Sequence, residues 1–456
     1  MSPLLGYRQL NEIEIKNLST GKGKVARIYI ETYGCWLNKA DSRIMEDIAR
    51  RKGFRIVHHI SDADIVILNT CTVRGDTERR MIRRIRELEE LRRKHNFRLL
   101  IAGCLTPIRG ATIHSISPTA SLIGPNSIDS LSLFLEGKRV IDVNPFKPRT
   151  CPILPEYDPL RDGVVHIVPI SVGCLGSCTF CVEVYARRRL TSYDAEKIIE
   201  NVLKAVSKGA KLVVLTGQDV AAYGRDKGGR LTDLLERLLK STAGKEVYFR
   251  LGMMEPSLVL DMLDDLVEVF NDPRIIKYLH LPLQSGDNNV LSMMGRRYTV
   301  EEFKEIVSKF RKRFPDIFLA TDIIVGFPGE GDEEFHNTVT VLKEIKPDKV
   351  HVARYTLTPF TRGYVSKQVP EPIKKRRSQI ISRLTEKLAL EINRKYIGKT
   401  VKALTLETLG ERNETRARLF NYKPLILYER IRPGKVVKAK INEVTFFDLR
   451  GEIVCS

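Results

Sequence analysis

The sequence lacks any apolar run approaching the ~18 residues that a membrane-spanning helix needs. Its first 24 residues are polar and mixed, without the apolar core of an export signal. It has no internal repeat and no low-complexity tract. Acidic side chains are scarce beside basic ones: 56 Asp+Glu face 76 Lys+Arg, a formal charge of +20. Cysteine is also sparse, eight in 456 residues. Together these absences exclude a helical membrane span, a repeat architecture and a disulfide scaffold. They lead us to expect a soluble, cytoplasmic chain with no membrane partner. In a reducing compartment its cysteines are buried small hydrophobes or metal ligands rather than disulfides.

What is present is enough for two or three domains with proper cores, since 43% of the 456 residues are hydrophobic. The basic excess favours a polyanionic partner, because each Lys or Arg placed on a phosphate releases counterions. Between residues 28 and 137, short apolar runs alternate with helical patterns. Strands are expected at 26–33, 63–69 and 98–102, and helices at 42–51 and 75–95. This alternation predicts an α/β domain with an open parallel sheet over residues 1–143. Pro145, Pro148, Pro152, Pro155 and Pro159 then mark residues 144–162 as a linker.

A second βα series follows, over 163–395. Strands are expected at 164–172, 212–216, 247–251, 278–283, 318–325 and 350–355. Six units without a seventh or eighth predict a partial (βα)6 barrel. A long basic helix over 372–397 closes the series. The tail, 396–456, changes to short strand patterns broken by Gly and Pro. Those at 401–405, 415–420, 436–441 and 444–446 predict a small β-barrel. The tail carries twelve Lys/Arg against seven Asp/Glu.

Cys174, Cys178 and Cys181 lie in the loop after the first strand of the second series. The carboxyl ends of parallel strands are where such folds bind ligands. A zinc site is the alternative, but zinc generally takes four ligands, and the loop itself offers no fourth Cys or His. Three thiolates on one compact loop suit a 4Fe–4S cluster with one iron left for a substrate. That iron can chelate S-adenosylmethionine, and Phe180 is placed to pack near its adenine. Cys-x3-Cys-x-aromatic-Cys on the first unit of a partial barrel resembles the radical S-adenosylmethionine superfamily.

Cys35, Cys71 and Cys104 each follow a predicted strand of the first domain. In a parallel sheet those ends share one edge, so three thiols distant in sequence can converge. Three unrelated buried cysteines would be the alternative. A second three-cysteine cluster, with no substrate to chelate, could hold sulfide and so suggests sulfur insertion. Gln218 and Asp219 end the second barrel strand after Gly217, and His280 and Gln284 flank the end of the fourth. All could contact the cofactor or merely cap strands. Gly326 to Gly329 is read as a turn that admits the cofactor, or as a structural turn. Arg79, Arg80, Arg83, Arg84 and Arg86 on one helix, and Lys374 to Arg377 on another, are candidate phosphate contacts. Cys151 and Cys455 are given no ligand role.

The paired triads resemble the methylthiotransferases over nearly the whole chain. Within them the nearest resemblance is to the archaeal and eukaryotic threonylcarbamoyladenosine tRNA enzymes. It is carried by Gly217-Gln-Asp-Val-Ala-Ala-Tyr-Gly-Arg-Asp226, Arg250-Leu-Gly-Met-Met-Glu-Pro256, His280-Leu-Pro-Leu-Gln-Ser-Gly286 and Ala320-Thr-Asp-Ile-Ile-Val-Gly-Phe-Pro-Gly-Glu330. The resemblance implies two 4Fe–4S clusters, S-adenosylmethionine and a C-terminal RNA-binding barrel of the TRAM type. It also implies methylthiolation of carbon 2 of N6-threonylcarbamoyladenosine at position 37, in the tRNA anticodon loop. An external electron donor and sulfur source are then expected. An isopentenyladenosine tRNA, a ribosomal protein as substrate, and a non-catalytic iron–sulfur RNA-binding protein stay open as alternatives. Two stretches depart from the family pattern. Arg188 stands where glycine is usual, and Tyr355-Thr-Leu-Thr-Pro-Phe-Thr-Arg362 replaces an Arg-Pro-Gly-Thr-Pro ending.

Overall fold

The computed structural model describes residues 25–147, 149, 153–361, 367–410 and 413–454. The chain falls into two compact units. One holds the residues up to Pro155 together with Tyr185–Arg187; the other holds Glu156–Val184 and Arg188–Ser456. Cys151, Cys455 and Arg362 lie outside the described residues.

The first unit is built on six parallel strands: β1 (Arg27–Thr32), β2 (Arg55–Ile56), β3 (Ile65–Thr70), β4 (Arg98–Gly103), β5 (Ser121–Ile123) and β6 (Ile141–Asp142). They lie in the order β2-β1-β3-β4-β5-β6. β3 is buried at every position, and its first four residues, Ile65 to Leu68, read as an apolar run. Its side chains alternate between two cores. Ile65 and Ile67 face Ile44, Met45 and Phe134, while Val66 and Leu68 face Met81, Ile85 and Leu88. Helices Trp36–Arg51 and Leu131–Leu135 supply the first layer, and Gly75–His95 and Thr106–Ile116 the second. Helix Gly75–His95 matches its expected span. Helix Trp36–Arg51 starts six residues earlier than its pattern suggests. No side chain caps it at Cys35. Instead Asn38 Nδ2 donates to the carbonyls of Tyr33 and Thr70, at 2.9 and 2.8 Å, and holds the first turn from outside the helix.

The second unit opens with β7 (Val165–Pro169), then a short antiparallel pair, β8 (Ser171–Val172) and β9 (Thr191–Ser192). The remaining barrel strands are β10 (Leu212–Thr216), β11 (Tyr248–Leu251), β12 (Tyr278–His280), β13 (Phe318–Val325) and β14 (Lys349–Arg354). Two parallel ladders, β11-β10-β7 and β12-β13-β14, form the partial barrel. A backbone bond from Met254 N to His280 O, 2.9 Å, joins them. Helices between the strands carry the expected start signals: Asp194 caps Ala195–Ser207, and Thr299 with Glu302 forms a capping box on Val300–Arg313.

The tail is a closed five-stranded barrel in the order β15-β16-β17-β19-β18. Its strands are β15 (Thr400–Leu409), β16 (Glu414–Leu419), β17 (Pro424–Leu427), β18 (Val436–Val444) and β19 (Leu449–Ile453). It shares one compact unit with the partial barrel. Lys423 and Asp348, both almost fully buried, pair at 2.6 Å, and Lys423 Nζ also donates to Asn393 Oδ1 at 2.8 Å. Among the described residues no helix is long and apolar enough to cross a membrane.

Candidate active site: two cysteine triads

In the first unit the three cysteines sit where the sheet predicts. Cys35, Cys71 and Cys104 follow β1, β3 and β4, three neighbouring strands whose ends are in register, Thr32 opposite Asn69 and Asn69 opposite Ala102. A methyl group added to Gly34 would lie 2.9 Å from Cys71 Cβ and 2.8 Å from Asn38 Nδ2, so the turn into Cys35 rests on Cys71. Cys104 Sγ lies 3.7 Å from Asn38 Oδ1. Cys35 is exposed, whereas Cys71 and Cys104 are buried. Helix Trp36–Arg51 begins directly at Cys35.

In the second unit Cys174, Cys178 and Cys181 share one loop after β8. A methyl on Gly176 would lie 3.2 Å from Cys174 Sγ and 3.5 Å from Cys178 Sγ, so both sulfurs flank one point of backbone. Gly173 holds the loop against the strand beyond it. Its φ is +78°, and a methyl there would fall 2.0 Å from the Arg189 carbonyl oxygen. Thr179 ties the loop to the carbonyls of Met294 and Met293 through its N–H and hydroxyl, at 3.0 and 2.8 Å. Burial, with nearby Asp219, pushes the Cys174 thiol up to about 12; burial and Cys178 do the same to Cys181. These thiols need a metal's charge to deprotonate, so loading releases protons.

Among the described residues, no three His, Cys, Asp or Glu side chains are gathered closely enough to hold a single ion. The fit to a cluster rests on the soft donors of a half-buried loop and on polar atoms left without partners. Ser171 Oγ, Gln218 Nε2 and Gln284 Oε1 are buried without a hydrogen-bond partner. Such atoms are costly unless a bound molecule satisfies them. The residues present therefore fit three-thiolate clusters, with a polar ligand beside the second.

Residues 168–342 match the Radical SAM superfamily, and residues 27–124 match a second description, Uncharacterized protein family UPF0004. A Pyrococcus horikoshii protein named "Probable threonylcarbamoyladenosine tRNA methylthiotransferase" is 40% identical over 436 residues, covering 94% of this chain and 100% of that one. The chain belongs to the radical S-adenosylmethionine tRNA methylthiotransferase family. A tRNA-2-methylthio-N(6)-dimethylallyladenosine synthase of Orientia tsutsugamushi is 34% identical, covering 93% of this chain and 98% of that one. The solved radical S-adenosylmethionine methyltransferase TsrM from Kitasatospora setae shares the fold, with a TM-score of 0.56 at 15% identity over 75% of each chain.

Like its family, this methylthiotransferase uses 4Fe–4S clusters and S-adenosylmethionine. Gln218 and Asp219 divide their labour. Gln218 Oε1 accepts from Gly173 N at 2.8 Å, at the root of the cysteine loop. Asp219 turns away to accept from Ala221 N and Glu255 N, so it is a structural cap. A methyl on Gly217 would meet the buried Ser171 Oγ at 2.8 Å, so only glycine leaves room beside that hydroxyl. His280 Nε2 pairs with Asp322 Oδ2 at 2.7 Å. Gln284 adopts a left-handed φ of +69°. The Phe180 ring lies edge-on to Phe327, 6.5 Å between centroids, beside Met294 and Tyr355.

Arg296 escaped the sequence reading. Its side chain is buried, and Nη1 lies 3.1 Å from Cys178 Sγ, with Tyr298 and Glu255 alongside. Burial opposes its charge, yet Tyr298, Cys178 and Glu255 together raise its pKa. No local pattern singles out one buried arginine among 76 Lys+Arg.

The expectation of a phosphate contact at Lys374 to Arg377 is half wrong. Lys374 and Arg377 are buried. Lys374 Nζ donates to Tyr355 O at 3.0 Å, and Arg377 pairs with Glu330 at 2.7 Å and Asp332 at 2.8 Å. Only Lys375 and Arg376 face solvent. The same packing explains Gly326, where a methyl would fall 2.3 Å from Lys374 Cγ. That turn serves the helix rather than a cofactor. On the other basic helix, Arg84 is taken up by Glu31 and Glu87, whereas Arg79, Arg80, Arg83 and Arg86 stay exposed. Both departures from the family pattern occupy left-handed backbone, Arg188 at +49° and Phe360 at +71°. A non-glycine residue there costs about 1–2 kcal/mol.

Proposed function

We propose that the chain adds a methylthio group to carbon 2 of N6-threonylcarbamoyladenosine at position 37 of tRNA. One observation carries this reading. Two groups of three cysteines, one following β1, β3 and β4 and one in the loop after β8, occur in one chain whose archaeal relatives, at 36–41% identity, are named probable threonylcarbamoyladenosine tRNA methylthiotransferases. The ligands would be Cys174, Cys178 and Cys181 for the cluster that works with S-adenosylmethionine, and Cys35, Cys71 and Cys104 for the one that holds sulfur. When bound, the first cluster supplies the electron that cleaves the sulfonium of S-adenosylmethionine.

The chain's own residues do the rest. Arg296 balances the negative charge gathered at Cys178. Ser171, Gln218 and Gln284 offer unspent polar atoms to the amino, carboxylate and ribose groups of S-adenosylmethionine, and Phe180 offers its ring to the adenine. Asp322 fixes the orientation of His280. The domains would be 1–143, 163–395 and the RNA-binding tail 396–456, with 144–162 as linker. Exposed Arg79, Arg80, Arg83, Arg86, Lys375 and Arg376 would track phosphates while the anticodon-loop base is splayed into the site. Electrons and sulfur would come from outside the chain, in the cytoplasm where tRNA is found.

The test is mass spectrometry of tRNA nucleosides from the host with and without the gene. Unchanged 2-methylthio-N6-threonylcarbamoyladenosine on deletion defeats the proposal. Loss of the dimethylallyl counterpart instead would favour the second reading, which rests on the 34% identical relatives of that name. Iron counting on Cys174→Ala should find about one cluster's worth of iron.

A further inference from the structure

We infer that Arg250 of the partial barrel and Arg418 of the tail form one anion site, which takes the carboxylate of the substrate's threonylcarbamoyl arm. The inference rests on the substrate proposed above and deepens it. Both arginines belong to the second compact unit. Arg250 lies on β11, opposite Val214 of β10. It is 5% exposed, and its Nε has no hydrogen-bond partner. Its guanidinium lies 4.4 Å from the Tyr278 ring centroid and 5.4 Å from that of Tyr422. Arg418, on β16, lies 4.7 Å from the same Tyr422 centroid, and its Nη1 donates to the Tyr422 carbonyl at 3.1 Å. One tyrosine thus carries two guanidiniums, one from each barrel. Tyr422 is held there by the turn between β16 and β17, where it takes a left-handed φ of +72°. Lys277 N donates to Phe420 O at 2.8 Å and ties that turn to the partial barrel.

Among the described residues no carboxylate pairs with either arginine. Asp322, on β13, pairs with His280 instead. Burial lowers the Arg418 pKa, and the charge of Arg250 lowers it further. Aromatic faces answer such cations only in part, and a buried cation is costly until an anion meets it. The place selects the kind of anion. Tyr278, His280, Asp322 and His351 share one face of the β12-β13-β14 ladder. That face is half-buried at His280, Asp322 and His351, whereas the opposite face is buried at Leu279, Leu319 and Val350. It is therefore the inner face, open to a ligand. Val214 precedes Gly217 by three residues, so Arg250 stands about 10 Å below the strand end that carries Gln218. A phosphodiester, flanked by two riboses, is too bulky for a side chain so buried. A carboxylate carried on the N6 arm of an inserted base is slim enough to span that depth. Its two oxygens match the planar donors of guanidinium groups. A dimethylallyl arm offers no charge to answer them.

The experiment compares anticodon stem-loop RNAs that carry the threonylcarbamoyl arm as its free acid or as its carboxamide. Binding to the iron-loaded full chain and methylthiolation are both measured. We expect the wild type to bind the acid about tenfold tighter than the amide. In Arg250→Gln and Arg418→Gln that preference should fall towards one, and Arg418→Lys should keep part of it. Arg418 is only half-buried, so its variants carry the test if Arg250→Gln does not fold. A wild type that binds acid and amide alike overturns the assignment. So do glutamine variants that weaken both RNAs equally, which would make the arginines a joint between the barrels or a contact to the RNA backbone. The substrate reading fails separately. If the wild type methylthiolates a dimethylallyl RNA but not the acid, that reading falls and the site with it. If it methylthiolates acid and amide equally well, the reading stands and the site alone falls.

Discussion

Replacing Lys423 with methionine should loosen the tail barrel from the rest of its unit. The Lys423 and Asp348 side chains are only 4% and 6% exposed. Methionine keeps most of the stem's packing against Phe318 and Tyr396, whose rings lie 5.0 and 5.6 Å from Nζ. What is lost is the charge that answers Asp348. Removing one partner of a buried pair costs about 3–5 kcal/mol, because the survivor stays buried and unanswered. For a unit of this size that is a melting point lower by roughly 5–8 °C. Asp348→Asn added to Lys423→Met should recover most of the loss. The amide oxygen can still accept from Leu319 N, which Asp348 now does at 2.9 Å, without a buried charge. Scanning calorimetry of the iron-loaded chain reads both. A single variant that melts with the wild type, or a double variant no better than the single, would refute the reasoning.

Other outcomes follow from neighbouring features. Gly173→Ala places a methyl 2.0 Å from the Arg189 carbonyl, so it should abolish cleavage of S-adenosylmethionine and remove roughly half the iron, leaving the first unit's cluster; full iron would contradict this. Lys277 spends its ammonium on the carbonyls of Asp272 and Ile275, and burial pulls its pKa down to about 8 from 10.5. Above pH 8 the folded chain has shed this proton while the unfolded chain still holds it, so stability due to Lys277 rises with pH up to about 10.5. Denaturation profiles of wild type and Lys277→Met should diverge in that window, and parallel profiles would count against the assignment. Replacing exposed Lys375 and Arg376 with glutamine should flatten the logarithmic salt dependence of tRNA binding by about 1.4–1.8. Replacing buried Arg377 should instead lower the melting point, and a change of salt slope from Arg377 alone would reverse these roles.

Most of what positions the two triads was legible in the sequence, because strand ends are marked by chemistry that reads locally. An apolar run such as Ile65 to Leu68, followed by polar Asn69 and Thr70 and then a cysteine, states both the strand and the edge at which the thiol emerges. What was not legible depends on contacts distant in sequence. The start of helix Trp36–Arg51 is set by Asn38 reaching Tyr33 and Thr70. β17 begins at Pro424, and β19 contains Gly451, both poor strand residues. Gly451 is tolerated because a side chain there would collide with the Lys440 carbonyl, 2.1 Å from an added methyl. β18 reads as two strands because its register shifts between Ile441 and Glu443. Charge was read least well. Lys374 and Arg377 were expected at the surface and are buried, while Arg187 and Arg296 drew no notice and lie against Cys104 and Cys178.

The buried lysine that joins the tail to the partial barrel bears on how a nucleotide is chosen. A module on a flexible tether raises the local concentration of RNA but leaves open which base arrives, since the tether samples many spans. A module bolted by Lys423 to Asp348 and Asn393 behaves as a ruler. Its span to the cysteine loop of the same unit is constant, so under the RNA-binding role proposed for the tail a tRNA held there would present only those bases that lie that far from the grip. Addressing by length needs no base-specific contact at the tail, and it would be lost by lengthening the joint even if every residue that touches RNA were kept.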